Sequence, residues 1–134
     1  MSNPALETGI DLAPQFNDQG LIPAIVQDDA TGQILMMGWM NQAALTQTLE
    51  TRLATFYSRS RQKMWVKGES SGHTQQVLDA RIDCDQDVVL LRCKSNGPCC
   101  HVGYTSCFYR RITPSQTLEV IDEKAYDPDA VYGP

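Results

Sequence analysis

The pattern of apolar and polar positions predicts several strands and one helix. Residues 23–28 (PAIVQD) and 33–40 (QILMMGWM) are apolar runs separated by the turn sequence DATG, and this arrangement predicts a β-hairpin. Asn41 is a preferred N-cap residue, and residues 42–52 (QAALTQTLETR) are rich in helix formers. Four residues of that segment share one face, as in a helix packed on a sheet: Ala44, Leu45, Thr48 and Leu49.

Further short apolar segments predict a sheet. Residues 54–58 are β-like, residues 76–83 (QVLDARID) alternate loosely, and residues 105–112 favour a last strand. The continuous apolar run at residues 88–93 (VVLLRC) predicts a strand that is buried on both faces. Together these elements predict the α+β class, as a small, mostly-β domain with one main helix.

The two ends of the chain differ in composition from its middle. Residues 1–20 contain two prolines and two glycines among scattered apolar positions, which predicts an irregular N-terminal arm. Residues 113–134 form an acidic C-terminal tail that we expect to be extended from Asp122 onwards. The domain proper is therefore predicted to span residues 21–112, in agreement with a length of 134 residues, which suits one domain.

Composition and charge exclude several classes of protein. Hydrophobic residues make up 42% of the chain, enough for a core, and charged residues make up 20%, too few for a disordered polyelectrolyte. The net charge of −5 argues against a general nucleic-acid binder, because such binding needs clustered positive charge. No apolar run approaches the ~18 residues of a membrane helix, and no basic-then-apolar leader is present. We therefore expect a soluble cytoplasmic protein with no nucleic-acid or membrane partner.

Four of the eleven basic residues lie close together at odd-numbered positions: Arg59, Arg61, Lys63 and Lys67. On a strand they would share one face and form a positive surface for phosphate groups. The alternatives are a solvated strand face or a hairpin turn around residues 61–63. The Gly/Ser segment at residues 68–73 (GESSGH) favours the phosphate site, because such loops bring backbone N–H groups close to anionic oxygens.

Three carboxylates, those of Asp83, Asp85 and Asp87, stand two residues apart. They repel one another unless a cation lies between them, and a hard cation such as Mg²⁺ prefers oxygen ligands. On a straight strand the outer two would start ~13 Å apart, so a shared site requires the chain to bend or one carboxylate to act through water. The alternative is an acidic turn between strands.

Five cysteines lie between residues 84 and 107, namely Cys84, Cys93, Cys99, Cys100 and Cys107. The odd number excludes a complete set of intramolecular disulfides. On an extended chain Cys84 points away from the flanking carboxylates, and a soft ligand opposite hard ones suggests two different metals. Thiolates and imidazole are the usual zinc ligands, whereas buried free thiols or a redox pair are the alternatives. Spacing alone leaves these open.

Six motifs in order along residues 21–110 together resemble the phosphoribosyl-AMP cyclohydrolase family. They are residues 38–41 (GWMN), 58–61 (SRSR), 65–72 (WVKGESSG), 83–87 (DCDQD), 97–101 (GPCCH) and 106–108 (SCF). The resemblance implies a hydrolase of the third step of L-histidine biosynthesis. Its reaction opens the adenine ring of 1-(5-phosphoribosyl)-AMP between N1 and carbon six and yields the formimino-carboxamide ribonucleotide.

The resemblance also implies two metals and a dimer. Zinc would be bound by Cys84, Cys100 and Cys107, and magnesium by Asp83, Asp85 and Asp87. The family forms an intertwined homodimer, in which each zinc site takes the cysteine of the acidic motif from one chain and the two later cysteines from the other. Cys93 and Cys99 are expected not to bind metal.

The implied chemistry requires a general base and contacts to a phosphorylated nucleotide. Three thiolates donate strongly to zinc, so the attacking water needs a general base to remove its proton. The chain has two histidines; His101, next to Cys100, is the first candidate and His73 the second, and either one is alternatively a structural histidine. The candidate substrate contacts are Arg59, Arg61, Lys67, Glu69 and Ser71.

Three other functions compete with this interpretation. A cytidine-type deaminase uses His-x-Glu and Pro-Cys-x-x-Cys segments; residues 98–101 lack the second cysteine at that spacing, and no His-x-Glu occurs. A non-catalytic, zinc-stapled binding module predicts a fourth protein ligand on the metal. A redox-sensing thiol protein predicts no bound metal.

Overall fold

The computed structural model of the protein describes residues 4–132. Residues 1–3 of the predicted arm and 133–134 of the predicted tail lie outside the described residues. The elements in chain order are α1 (Pro4–Thr8), β1 (Ile22–Asp28), β2 (Ile34–Met40), α2 (Gln42–Thr51), β3 (Thr55–Ser58), β4 (Lys63–Val66), β5 (Gln75–Ile82), β6 (Val89–Ser95), β7 (Arg110–Ile112), β8 (Leu118–Val120) and α3 (Pro128–Tyr132). This is an α+β arrangement, as predicted. None of the helices in this part of the chain is long and apolar enough to cross a membrane.

The largest sheet has four strands in the order β2-β1-β6-β5. The predicted first hairpin is confirmed, since β1 and β2 pair antiparallel, and β1 also pairs parallel with β6. Val89, Leu91 and Cys93 of β6 are buried, whereas Leu90 and Arg92 on the other face are partly exposed. The prediction that β6 is buried on both faces is therefore wrong for one face, because the core cluster covers only the side on which α2 and Phe56 pack.

Helix α2 forms as predicted from its local signals. The Asn41 side chain accepts a hydrogen bond from the backbone N–H of Ala44 at 2.8 Å, which satisfies one of the unpaired N–H groups at the helix start. Ala44, Leu45 and Thr48 are buried, and Leu49 packs against the same core cluster. Burial of this face holds the ten-residue helix on the sheet.

The basic segment forms a hairpin instead of a continuous strand. Ser58 of β3 pairs with Lys63 of β4, so residues 59–62 form the connecting turn. The prediction that the odd-numbered basic residues share one strand face is wrong, because Arg59 and Arg61 lie in this turn. The hairpin alternative around residues 61–63 is the one that forms, and Gln62 has the left-handed φ of 51° that the turn requires.

The N-terminal arm is more regular than predicted. Residues 4–8 form the short helix α1, and Pro4 is its first residue. A backbone N–H at that position makes no hydrogen bond within the helix, so proline, which lacks one, is tolerated there. The Gln86 side chain then secures the arm. Its Nε2 donates to the carbonyl oxygens of Leu6 (3.1 Å) and Asp11 (3.2 Å), and its Oε1 accepts the N–H of Ala13 at 2.7 Å.

The C-terminal third also differs from the prediction. The strand expected at residues 105–112 is limited to β7, which pairs with the unpredicted strand β8. Residues 105–109 are irregular because they form hydrogen bonds to the first two residues of β2. Ser106 Oγ donates to the Ile34 carbonyl at 2.7 Å, and the Cys107 N–H donates to the Leu35 carbonyl at 2.7 Å. The tail expected to be extended contains helix α3, whose first residues are capped by the Asp127 carboxylate.

Candidate functional site

The three acidic residues lie in the turn between β5 and β6. Asp83 Oδ1 accepts the backbone N–H groups of Asp87 (2.9 Å) and Val88 (3.1 Å), and Gln86 adopts a left-handed φ of 60°. This bend brings one oxygen each of Asp83, Asp85 and Asp87 within 4.8 Å of one another. Among residues 4–132 it is the only group of three or more potential metal-binding side chains gathered so closely. The predicted bend is therefore present.

Proximity of these carboxylates changes their protonation. Hydrogen bonds with Asp85 and Asp83, together with their negative charges, raise the pKa of Asp87 to about 6. Burial acts to raise the pKa of Asp83, but the backbone N–H groups of Val88 and Asp87 outweigh it and hold that pKa below its usual value. Asp83 therefore stays ionised, while Asp87 takes up the first proton.

We expect Asp87→Asn to stabilise the metal-free protein at pH 8 but not at pH 4. Because the pKa of Asp87 is raised on folding, its contribution favours the fold below the unfolded pKa of ~3.9 and is lost as the pH rises through about 6. Thermal unfolding with a chelator present measures this difference. Mg²⁺ should raise the melting temperature of the unsubstituted protein at pH 8 more than that of the variant.

The control for this prediction is Asp18→Asn, which removes one exposed carboxylate outside the acidic turn. It should leave the response to Mg²⁺ unchanged. An Asp87→Asn variant that melts at the same temperature as the unsubstituted protein at pH 8, and gains as much from Mg²⁺, would contradict the prediction.

Three of the cysteines meet in the loop before β7. The Cys99 N–H donates to the Thr105 carbonyl (2.9 Å) and the Cys100 N–H to the Tyr104 carbonyl (3.0 Å). This closed loop places the thiols of Cys99 and Cys100 near the thiol of Cys107, so that the thiols affect one another's protonation. We call Cys99, Cys100 and Cys107 the thiol cluster.

The cluster contains one thiol that ionises more readily than the others. The hydrogen bond from Cys107, helped by the positive charge of Lys67, lowers the pKa of Cys99 against the opposing effect of burial. Donating that bond raises the pKa of Cys107, and burial raises the pKa of Cys100. Soft ligands of this kind suit zinc.

The other two cysteines have different surroundings, although the charge of Cys93 acts on Cys99. Cys84 is exposed on the acidic turn, and no three-ligand group within residues 4–132 includes it. Cys93 lies in the core on β6, where burial and the charges of Asp28 and Asp29 raise its pKa to about 12. Such a thiol is inert. Sequence reasoning treated Cys99 like Cys93 and missed its place in the cluster, although its adjacency to Cys100 was a signal.

The two candidate bases have different surroundings. His101 is exposed in the turn that follows Cys100. His73 is half-buried, its Nδ1 is buried without a hydrogen-bond partner, and its ring meets Tyr126 edge-on at 5.1 Å. The Tyr126 hydroxyl in turn donates to the Cys100 carbonyl at 2.8 Å. His73 is thus connected to the thiol cluster through a tail residue that no sequence motif indicated.

Four of the five predicted substrate contacts line one recess of about 190 Å³ beside β4, namely Arg61, Lys67, Glu69 and Ser71. Arg59 lines a larger neighbouring cleft of about 700 Å³. Trp65 borders both spaces. The aromatic lining of the larger cleft, formed by Trp39, Phe56 and Trp65, was not predicted as part of a site, although residues 38–41 and 65–72 were recognised as motifs.

A family model described as phosphoribosyl-AMP cyclohydrolase matches residues 36–109. The chain belongs to this family. The phosphoribosyl-AMP cyclohydrolase of Chlorobium limicola is 50% identical over 131 residues, which cover 98% of this chain and 96% of that protein. Those of Chlorobaculum parvum and Chlorobaculum tepidum are 54% and 53% identical over 119 residues, covering 89% of this chain and 87% of each relative.

Membership of the phosphoribosyl-AMP cyclohydrolase family confirms the resemblance drawn from the six motifs. The matched residues 36–109 contain the acidic turn, the thiol cluster and the β3–β4 hairpin. The groups that the fold assembles therefore lie within the segment that characterises the cyclohydrolase family.

Proposed function

We propose that this chain is a phosphoribosyl-AMP cyclohydrolase, which hydrolyses the adenine ring of 1-(5-phosphoribosyl)-AMP between N1 and carbon six in histidine biosynthesis. The observation that carries the proposal is 50% identity to a named cyclohydrolase across 98% of the chain. The site supports it, because thiols, carboxylates and basic groups lie around spaces large enough for a nucleotide.

We propose zinc as one cofactor, bound by Cys84, Cys100 and Cys107. The donor set fits, since Cys100 and Cys107 lie near enough to affect each other's protonation and thiolates are preferred zinc ligands. None of the cysteines belongs to a close three-ligand group within residues 4–132, so one chain by itself does not gather Cys84, Cys100 and Cys107. This supports an intertwined homodimer in which Cys84 of one chain joins Cys100 and Cys107 of the other. When bound, zinc supplies a Lewis acid that makes water more acidic.

We propose the acidic turn as a magnesium site. Three exposed carboxylate oxygens within 4.8 Å of one another match the preference of Mg²⁺ for oxygen ligands. Because Asp83 Oδ1 accepts hydrogen bonds from two backbone N–H groups, its Oδ2 is the oxygen available to a cation. Magnesium here would bind phosphate or ribose oxygens of the substrate.

The remaining steps are assigned to side chains of the chain itself. Arg61 and Lys67 bind phosphate in the smaller recess, since guanidinium and ammonium groups donate charge-assisted hydrogen bonds to phosphate oxygens. His101, which is exposed beside Cys100, takes a proton from the water that attacks carbon six. As the bond between carbon six and N1 breaks, that proton passes to N1, and the carbon-six hydroxyl loses its proton to solvent as the carboxamide forms. The histidine therefore ends the cycle neutral. His73 and Tyr126 position the loop that carries Cys100.

Turnover and metal content, measured on the same purified sample, test this function. We expect about one zinc per chain and conversion of phosphoribosyl-AMP, followed as a rise in near-ultraviolet absorbance when the ring opens. Folded, metal-loaded protein without turnover would contradict the enzyme and favour the zinc-stapled binding module. That alternative has one supporting observation, because Cys107 affects the pKa of Cys99, which makes Cys99 a candidate for a fourth thiol ligand.

A further inference from the structure

The largest cleft beside the hairpin is aromatic. It has a volume of about 700 Å³ and is lined by Trp39 of β2, Phe56 of β3 and Trp65 of β4, together with Arg59 of the turn. The rings of Phe56 and Trp65 lie 5.2 Å apart at 37°. Trp39 and Trp65 are the only two tryptophans of the chain. Rings of this kind bind flat, conjugated ligands by stacking.

A glycine allows the two walls of the cleft to approach. A Cβ atom at Gly38 would lie 2.5 Å from Cδ1 of the buried Phe56 ring, a distance at which one of them must move. With glycine there, β3 packs directly against β2, and Trp39 is placed at the rim beside the turn that carries Arg59. The sequence Gly38-Trp39 therefore builds the cleft.

The face of Trp39 accepts a cation in the present structure. The Arg59 guanidinium carbon lies over the indole at 5.6 Å from its centroid, within the ~6 Å at which a cation is attracted to an aromatic face. Trp39 is half-buried and Arg59 is exposed. A less hydrated cation delivered by a ligand can therefore take the place of the arginine.

Lys67 connects the cleft electrostatically with the thiol cluster. Trp65 lines the cleft, the Lys67 ammonium lies 5.8 Å from the centroid of the Trp65 ring, and the charge of Lys67 acts on the thiols of Cys99 and Cys107. A ring bound beside Trp65 therefore shares Lys67 as a neighbour with the thiols.

We propose that the face of Trp39 recognises the positive charge of the N1-substituted adenine ring, replacing Arg59, which then turns to a phosphate of the substrate. The identity of the ring rests on the proposed function. Adenine that carries a carbon substituent at N1 has no proton on N1 to lose, and the ring is cationic at neutral pH, whereas the adenine of AMP is neutral. Ring opening removes that charge, and Trp39 therefore favours substrate over product.

Isothermal titration of the full-length, zinc-loaded protein with two probes that lack the N1 phosphoribosyl group tests this role, with near-ultraviolet absorbance confirming that neither ring opens. The probes are 1-methyl-AMP, whose ring is cationic, and AMP, whose ring is neutral. The unsubstituted protein should bind 1-methyl-AMP about two- to thirtyfold more tightly than AMP. Trp39→Leu, which has no aromatic face, should bind the two probes equally, and Trp39→Phe should keep a smaller preference because phenyl is the weaker cation acceptor.

Met64→Leu is the matched control, because Met64 is a partly exposed residue of β4 outside the cleft lining, and it should keep the full preference. The proposal is overturned by equal affinities in the unsubstituted protein, or by an undiminished preference in Trp39→Leu. Should Trp39→Leu not fold, an undiminished preference in Trp39→Phe overturns it equally. Turnover without any probe preference removes this proposal and leaves the proposed function standing. A Trp39-dependent preference without turnover supports cation binding by Trp39 and contradicts the proposed function.

Discussion

Cys107→Ala should lose its zinc and more than about a hundredfold of its turnover. Loss of a group that merely supports a metal ligand already lowers affinity or activity about 10- to 100-fold, so loss of the ligand itself should exceed this. Cys107 is the member of the thiol cluster whose pKa both Cys99 and Cys100 affect. Zinc per chain, determined by mass spectrometry, and turnover on the same sample measure the effect.

Cys93→Ala provides the matched control, since it also removes a thiol but one that lies in the core on β6. It should keep its zinc and its turnover while losing some stability from the small cavity. Retention of tightly bound zinc by Cys107→Ala would show that the ligand assignment is wrong. A Cys99→Ala variant examined in parallel would then identify Cys99 as the thiol that holds the metal.

Mixing two inactive variants, Cys84→Ala and Cys107→Ala, should restore about one quarter of the activity of the unsubstituted protein. In a homodimer with shared sites, random exchange makes about half of the dimers mixed, and each mixed dimer contains one intact site of two. The reason lies in the structure, where Cys84 occupies the acidic turn and does not join Cys100 and Cys107 within one chain. Turnover measured before and after subunit exchange tests this.

One further mixture and a direct measurement of subunit exchange define what recovery means. Cys100→Ala mixed with Cys107→Ala should stay inactive, because both residues are contributed by the same chain of a shared site. Subunit exchange itself is followed with a mass-tagged copy of one variant. Confirmed exchange without recovery of activity would exclude the shared zinc site, and recovery in the Cys100 and Cys107 mixture would exclude the assigned division of ligands.

Local signals determined the elements that formed as predicted. The DATG turn between two apolar runs specified the first hairpin, and Asn41 with the apolar face of the following segment specified α2. The failures lie where distant contacts compete. The sequence of residues 105–109 resembles a strand, but Ser106 and Cys107 donate hydrogen bonds to carbonyls of β2 more than 70 residues earlier. These bonds form in place of a regular β-ladder, so the segment is not a strand.

Spacing was informative about the acidic motif and misleading about the basic one. Carboxylates at alternate positions require a cation or a bend, and the bend between β5 and β6 brings them together. The alternation of Arg59 and Arg61 has no such consequence, because both residues lie in a four-residue turn, where the two-residue period of a strand does not apply.

The sequence by itself determined the family, the donor chemistry and the main local elements, because these depend on residue identity and on neighbours a few positions away. Only the tertiary structure decided that Cys84 lies apart from the thiol cluster, that Cys99 belongs to it, and that Tyr126 connects the tail to Cys100. It also decided that Trp39 and Trp65 line the same cleft. Cys99 and Cys107 are 8 positions apart, whereas Tyr126 and Cys100, and Trp39 and Trp65, are each 26 positions apart. Whether such residues meet depends on sheet order and loop closure.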